Sequence, residues 1–167
     1  MAAGSTYTPI ATNTLGSSAA TVTFSSIAGT YTDLVIVADA IASTTANYEL
    51  TFNGDAGSNY SRTYLTGSGS AASSGRASNQ TFIRCDQGGF LPTATWGSPL
   101  RVFVMNYSNS TTYKTALTRS DGASASGTGA VVALWRNTAA ITSLTLACSG
   151  ATFSTGSIFT LYGIAAA

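Results

Sequence analysis

The chain has 167 residues, of which only 8% are charged, and its seven Lys and Arg residues against six Asp and Glu residues leave a net charge of +1. An ordinary globular domain has about 25% charged residues, so charge is scarce along the whole chain. Because so few cations cannot form a basic stripe, we expect neither nucleic acid nor an anionic membrane as a partner.

Short segments of alternating apolar residues predict β-strands along most of the chain. Residues 20–25 place Val22 and Phe24 on one face, and residues 33–38 are apolar on both faces, as in a central strand. Residues 47–52 alternate again and end in Asn53-Gly54-Asp55, which predicts a hairpin to a strand at 60–65. Further strands are predicted at 80–85, 100–107, 113–119, 131–136, 141–148 and 157–164, with a weak one near Ile10.

The segments between the predicted strands are rich in small and polar residues. Residues 67–75 and 120–129 predict two long loops, and no window combines a helical period with capping residues. About ten strands in one domain favour an all-β fold, an antiparallel β-sandwich of the jelly-roll type. The core is predicted to include Val22, Phe24, Val35, Val37, Val102, Val104, Leu144 and Leu146.

The predicted sandwich is a single domain over residues 1–167, with residues 1–9 as an extended N-terminal arm that Pro9 stiffens. The arm is a candidate contact to a neighbouring molecule, and a simple edge strand is the alternative. No apolar stretch approaches the 18 or more residues of a membrane span, so we expect no membrane insertion.

Catalytic residue types are scarce. The chain has no His, which removes the commonest general base and the commonest metal ligand. Lys114, the single Lys, lacks the Ser-x-x-Lys spacing of a Ser-Lys enzyme. Cys85 and Cys148 lack metal-ligand spacing and are expected to be buried free thiols.

The acidic residues suggest turns and strand ends more strongly than a catalytic pair. Any two of the chain's six acidic residues could supply the paired carboxylates of a glycosidase, but turn and strand-end positions explain most of them. The oxygens around Asp55 could suggest calcium, but their spacing fits no calcium-loop signature. We therefore expect no enzyme activity, no cofactor and no metal. The residues concerned are Asp33, Asp39, Glu49, Asp55, Asp86 and Asp121.

Aromatic and basic residues are the best candidates for a contact surface. Tyr, Trp and Arg combine a large contact area with polar groups, and exposed rings also suit sugars. The alternative is that these rings cover the ends of the sandwich. The candidate interface residues are Tyr7, Pro9, Tyr60, Arg62, Tyr64 and Trp96.

Several strand and turn segments of the chain resemble segments of small virion proteins of tailed bacteriophages, including phages of cyanobacteria and other marine bacteria. These segments are residues 7–12, 31–37, 52–55 with 58–60, and 159–164. The resemblance covers almost the whole chain and implies one of two roles. The first is a capsid decoration, or cement, protein that forms symmetric oligomers, expected to be homotrimers, on the major capsid protein. The second is a tail-fibre, receptor-binding or carbohydrate-binding domain.

The composition helps to choose between the two roles. Fibre proteins carry a long repetitive or coiled shaft, and this chain has neither heptads nor repeats. A surface of Ser, Thr and Gly loses little side-chain entropy when another protein covers it. We therefore expect a capsid decoration protein made in the host cytoplasm and located on the virion surface. An ordinary soluble β-sandwich with an uncharged polar coat is the structural alternative.

Overall fold

A computed structural model describes residues 6–87, 97–122 and 127–165. The described chain forms twelve β-strands and contains no helix, and hence no helix that could cross a membrane. The strands are β1 Tyr7–Thr14, β2 Thr21–Phe24, β3 Asp33–Ala40, β4 Tyr48–Phe52, β5 Tyr60–Gly67, β6 Ala72–Gln80, β7 Ile83–Arg84, β8 Ser98–Met105, β9 Lys114–Gly122, β10 Gly127–Trp135, β11 Leu144–Cys148 and β12 Ile158–Ile164.

The strands form two antiparallel sheets, which confirms the predicted all-β, sandwich-like class. The larger sheet has eight strands in the order β1-β12-β3-β8-β9-β10-β5-β6, and the smaller has four in the order β2-β11-β4-β7. Since the sheets differ in width, the four-stranded sheet cannot cover the whole of the larger one.

The core lies between the two sheets and follows the period-two pattern of the strands. In β4, Tyr48, Leu50 and Phe52 are fully buried and alternate with half-buried residues. Leu34 and Ile36 of β3 face them from the larger sheet as part of the same cluster. Seven of the eight predicted core residues are buried, and the exception, Val37, is half-buried.

The Asn53-Gly54 turn differs from the prediction. Both residues have positive φ, 52° and 66°, as the sequence suggested. The turn does not close a hairpin, because β4 pairs with β11 and β7 whereas β5 pairs with β10 and β6. The predicted hairpin is therefore wrong, and the turn carries the chain from the small sheet to the large one.

Asp55 ties this turn to the core. Its carboxylate accepts hydrogen bonds from Trp135 Nε1 at 2.7 Å, from the backbone N–H of Gly57 at 2.8 Å and from Asn59 Nδ2 at 2.9 Å. Burial raises the pKa of Asp55, but these three donors outweigh it and lower the pKa below its usual value. The oxygens that suggested calcium thus accept hydrogen bonds from the protein itself.

Three predicted segments have different boundaries. The predicted loop 67–75 is wrong over much of its length, because β5 runs to Gly67 and β6 begins at Ala72. Only Ile83–Arg84 of the predicted strand 80–85 forms β7. The predicted loop 120–129 is narrower than expected, since β9 extends to Gly122 and β10 begins at Gly127.

Residues 7–9 of the predicted arm belong to an edge strand. Tyr7 pairs with Ile164 and Pro9 with Tyr162, so β1 lies beside β12. The register shifts between Pro9 and Ala11, and such an irregularity suits an edge strand because Pro has no N–H to donate to the ladder. The other part of the predicted arm, residues 1–5, lies outside the described residues.

Candidate interaction surface

The most extended feature of the described surface is the outer face of the eight-stranded sheet, the face turned away from the core. One row of register partners crosses this face, and we call it the apolar row. It runs through Pro9, Tyr162, Val35, Phe103, Leu117 and Val132. Each residue lies on the strand that neighbours the strand of the residue before it. Because every residue of the row pairs with the next, six strands contribute to one continuous apolar band.

Exposure varies along the apolar row. Val35 is only 2% exposed and lies outside the core cluster, because its register neighbours Tyr162 and Phe103 flank it on the outer face. Towards β5, Leu117 is 37% exposed, Val132 52% and Leu65 60%. These three side chains line a shallow depression of about 430 Å³. Contiguous exposed aliphatic side chains of this kind mark a surface that another molecule covers.

The outer face also has the size of a protein interface. With strands about 4.8 Å apart, the eight strands span about 34 Å, and eight residues along each strand span about 26 Å. The product is about 900 Å², whereas a standard interface covers about 800 Å² on each partner. The face alone is therefore large enough for a stable complex.

Charged side chains on the outer face include Asp33, Asp39, Asp121 and Arg76, and two further cations lie side by side. Arg101 of β8 and Arg119 of β9 are register partners, and we call them the arginine pair. Arg119 lies 3.7 Å from the carboxylate of Asp121, an ion pair in which both side chains are largely exposed. Exposed ion pairs contribute only about 0–1 kcal/mol, and Asp121 compensates the charge of Arg119, so Arg101 keeps the uncompensated charge of the pair.

The structure places the predicted interface residues of β5 on the inner face. Tyr60 is fully buried, and its ring stacks on Trp135 with centroids 6.4 Å apart, so Tyr60 is a core residue and its prediction as an interface residue is wrong. Tyr64 packs against the core and lies over Gly75. Arg62 is half-buried and donates to Gln87 Oε1 at 3.2 Å. The period-two spacing correctly put all three on one face, but not on the exposed one.

The remaining predicted interface residues lie on β1 or beyond the described chain. Tyr7 is 48% exposed and makes an edge-to-face contact with Tyr162, with centroids 6.2 Å apart. Pro9 is exposed at the end of the apolar row. Trp96 lies outside the described residues.

A buried ionisable group follows β7, the edge strand of the small sheet. Asp86 is fully buried, and neither of its carboxylate oxygens has a hydrogen-bond partner in the structure; Arg84 Nε lies 3.9 Å away. Burial raises the pKa of Asp86 well above its usual value, and the backbone of Tyr48 and the Arg84 charge only partly oppose it.

Both cysteines are buried free thiols, as predicted. Burial, assisted by the charge of Asp86, raises the pKa of Cys85 far above the usual thiol value and that of Cys148 to about 11. Thiols of this kind are poor nucleophiles at neutral pH. The described residues contain no group of three His, Cys, Asp or Glu side chains placed to hold a metal ion.

Lys114 is buried and hydrogen-bonded to the backbone. It is 1% exposed, and its Nζ donates to the backbone carbonyls of Thr112 at 2.7 Å and Thr138 at 3.0 Å. These bonds join the segment before β9 to the segment after β10.

Sequence reasoning missed the apolar row because its members lie on six separate strands whose order the sequence does not reveal.

Comparisons of the chain with protein-family models, with curated proteins and with solved structures found no match. The outer face of the eight-stranded sheet is therefore defined by its own geometry, as a broad surface with an apolar row across it and two adjacent Arg side chains beside that row.

Proposed function

We propose that this protein is a bacteriophage virion structural protein without enzyme activity, a capsid decoration protein that stabilises the shell by bridging major capsid subunits. The outer face of the eight-stranded sheet is the single observation that carries the proposal. It offers a surface of interface size with an apolar row across it, on a chain whose low charge does little to oppose association. The resemblance to phage virion proteins directs the proposal to a capsid.

The pairing order of the strands supports a jelly roll as the specific topology of the sandwich. Four nested antiparallel pairs, β1 with β12, β2 with β11, β3 with β8 and β4 with β7, define the jelly-roll pattern of two four-stranded sheets. Two further strand pairs, β5-β6 and β9-β10, then widen one sheet to eight strands. Jelly rolls are frequent in viral capsid proteins and lectins, although a fold alone does not assign a function.

A decoration protein stays bound to the shell through contacts that are repeated in each subunit of its oligomer. We infer a symmetric oligomer, a homotrimer, whose subunits each contact the shell. Once one subunit is bound, the contacts of the others become intramolecular, so moderate individual affinities combine into tight binding. The proposed location is the capsid surface of the virion, after synthesis in the host cytoplasm.

Removal of the protein from the phage tests this function. Particles that lack it should still assemble, but should release DNA at a lower temperature or after a milder osmotic shock than complete particles. Electron microscopy of complete particles should show regular density for the protein on the shell. Density confined to the tail would overturn the capsid assignment.

A tail-fibre, receptor-binding or carbohydrate-binding domain is the second candidate. The observation in its favour is the contact of Tyr7 with Tyr162 at the β1 edge, since exposed tyrosine rings stack on sugars. Binding on a glycan array that Tyr7→Ala abolishes would favour this candidate. Cleavage of a host polysaccharide would refute the absence of enzyme activity.

A further inference from the structure

We propose that the outer face docks onto a protein surface of one kind, an apolar strip flanked by carboxylates, with the carboxylates placed opposite Arg101 and Arg119. This inference rests on the proposed virion function and names the surface and partner chemistry through which that function operates. Its basis is the position of the arginine pair relative to the apolar row.

The arginine pair lies directly beside the apolar row. Phe103 and Leu117 are register partners within the row. Arg101 and Arg119 are register partners two residues further along the same two strands, which is the next position on the same face. Like charges directly opposite each other in a sheet are destabilising. The fold thus retains two adjacent cations on its outer face at a cost in stability.

Only one member of the arginine pair has a carboxylate partner among the described residues. Arg119 has one exposed ion pair, with Asp121, and no carboxylate of the described residues lies within ion-pair distance of Arg101. Asp39 lies on the neighbouring strand β3, but its carboxylate is against Gly97, where even a Cβ atom would collide with it. An external carboxylate could therefore form bidentate hydrogen bonds with Arg101 without displacing an internal partner.

The position of the pair argues against a second copy of the chain as the occupant. β8 and β9 are the fourth and fifth of eight strands, Arg101 is the fourth of eight residues in β8, and Arg119 is the sixth of nine in β9. The pair therefore lies near the centre of the face in both directions. Any two-fold axis that stacks the whole face on its copy would bring four guanidinium groups together, and such a juxtaposition of like charges opposes association.

The side chains around the pair favour a protein over a sugar. Leu65, Leu117, Ala130 and Val132 make the exposed part of the face aliphatic, whereas sugar sites combine aromatic rings with many polar groups. Aliphatic side chains bury favourably against aliphatic side chains of another protein, at about 25 cal/mol per Å². The carboxylates of such a partner would then set its orientation on the face.

Three variants test the proposal in purified virions. The first is R101E with R119E, which reverses the charge of the pair, and the second is Val132→Asp, which places a charge in the apolar row. The control is Thr23→Asp, an exposed change in β2 of the smaller sheet. Circular dichroism verifies that each variant folds, and quantitative mass spectrometry counts its copies per particle.

We expect the first two variants to lose at least tenfold in copies per particle, and Thr23→Asp to stay within twofold of the wild type. Wild-type occupancy of R101E/R119E and V132D would overturn the inference while leaving the virion function intact. Wild-type protein on the tail, with the same loss in the two variants, would overturn the capsid function and support the inference. Absence from virions would overturn both. Sedimentation showing that the face closes on a second copy, and that V132D separates the copies, would overturn the inference alone.

Discussion

The carboxylate of Asp55 is predicted to stabilise the fold chiefly through its hydrogen bond to the indole of Trp135. Trp135 is 1% exposed, and its Nε1 donates to Asp55 Oδ2 at 2.7 Å. A hydrogen bond to a charged group contributes about 1.5–3 kcal/mol, and a buried donor left without an acceptor costs a similar amount. We therefore expect Asp55→Ala to lower the free energy of unfolding by at least about 2 kcal/mol.

A double-mutant cycle separates this bond from the packing of the indole. The cycle combines Asp55→Ala with Trp135→Phe and measures urea unfolding by circular dichroism. We expect a coupling energy of about 1.5–3 kcal/mol, which corresponds to roughly 3–12 °C in Tm for a chain of this size. The control is Asp121→Ala, since Asp121 is half-exposed and its ion pair with Arg119 is exposed. The control should lose less than about 1 kcal/mol.

The same cycle has a predicted pH dependence. The hydrogen bonds lower the pKa of Asp55 in the folded state, so the stabilisation is complete above the unfolded-state pKa, near about 3.9. It is lost as the pH falls through the folded-state pKa. A coupling energy below about 0.5 kcal/mol at pH 7, or one unchanged at pH 2, would refute the assignment of Asp55 as the charged acceptor.

Three further substitutions probe other buried contacts. Asp86→Asn should gain stability relative to the wild type as the pH rises above the unfolded-state pKa of about 3.9, at up to about 1.4 kcal/mol per pH unit until the pH passes the raised folded-state pKa, because ionisation of Asp86 favours the unfolded chain; a stability difference that does not change with pH would contradict this. Gly75→Ala should cost about 1–3 kcal/mol in denaturant unfolding, since its Cβ would collide with the ring of Tyr64, whereas Gly67→Ala meets only an ordinary contact at 3.8 Å. Lys114→Met should lower Tm by removing the donor of two backbone carbonyls, a loss of about 1–3 kcal/mol, and a wild-type Tm would refute that role.

Local patterns predicted the strands that carry apolar residues. The alternation of Tyr48, Leu50 and Phe52 identified β4 to within one residue, and the doubly apolar run at 33–38 identified β3, an interior strand of the large sheet. β6 could not be found in the same way, because Ala, Ser and Gly have no hydrophobic period. β6 is a strand because β5 supplies its hydrogen-bond partners, so tertiary context outweighs its composition.

The candidate surface required the order of the strands. Val35, Phe103, Leu117 and Val132 become neighbours only through the pairings β3-β8, β8-β9 and β9-β10. The sequence pattern put Tyr60, Arg62 and Tyr64 on one face, but which face meets solvent depends on the position of the smaller sheet. Period-two patterns distinguish the two faces of a strand without indicating which one is buried.

The nested pairing of distant strands also determines how the chain can fold. β12 lies between β1 and β3, so Tyr7 pairs with Ile164 and Ile36 pairs with Leu161 across most of the sequence. Folds dominated by such distant pairings fold slowly, in about milliseconds to seconds, because loop closure must precede the contacts that stabilise it. Before β12 docks, β3 lacks its neighbour on that side and exposes unpaired backbone groups beside an apolar run. During synthesis the chain is therefore open to pairing with other strands until residues 158–164 leave the ribosome.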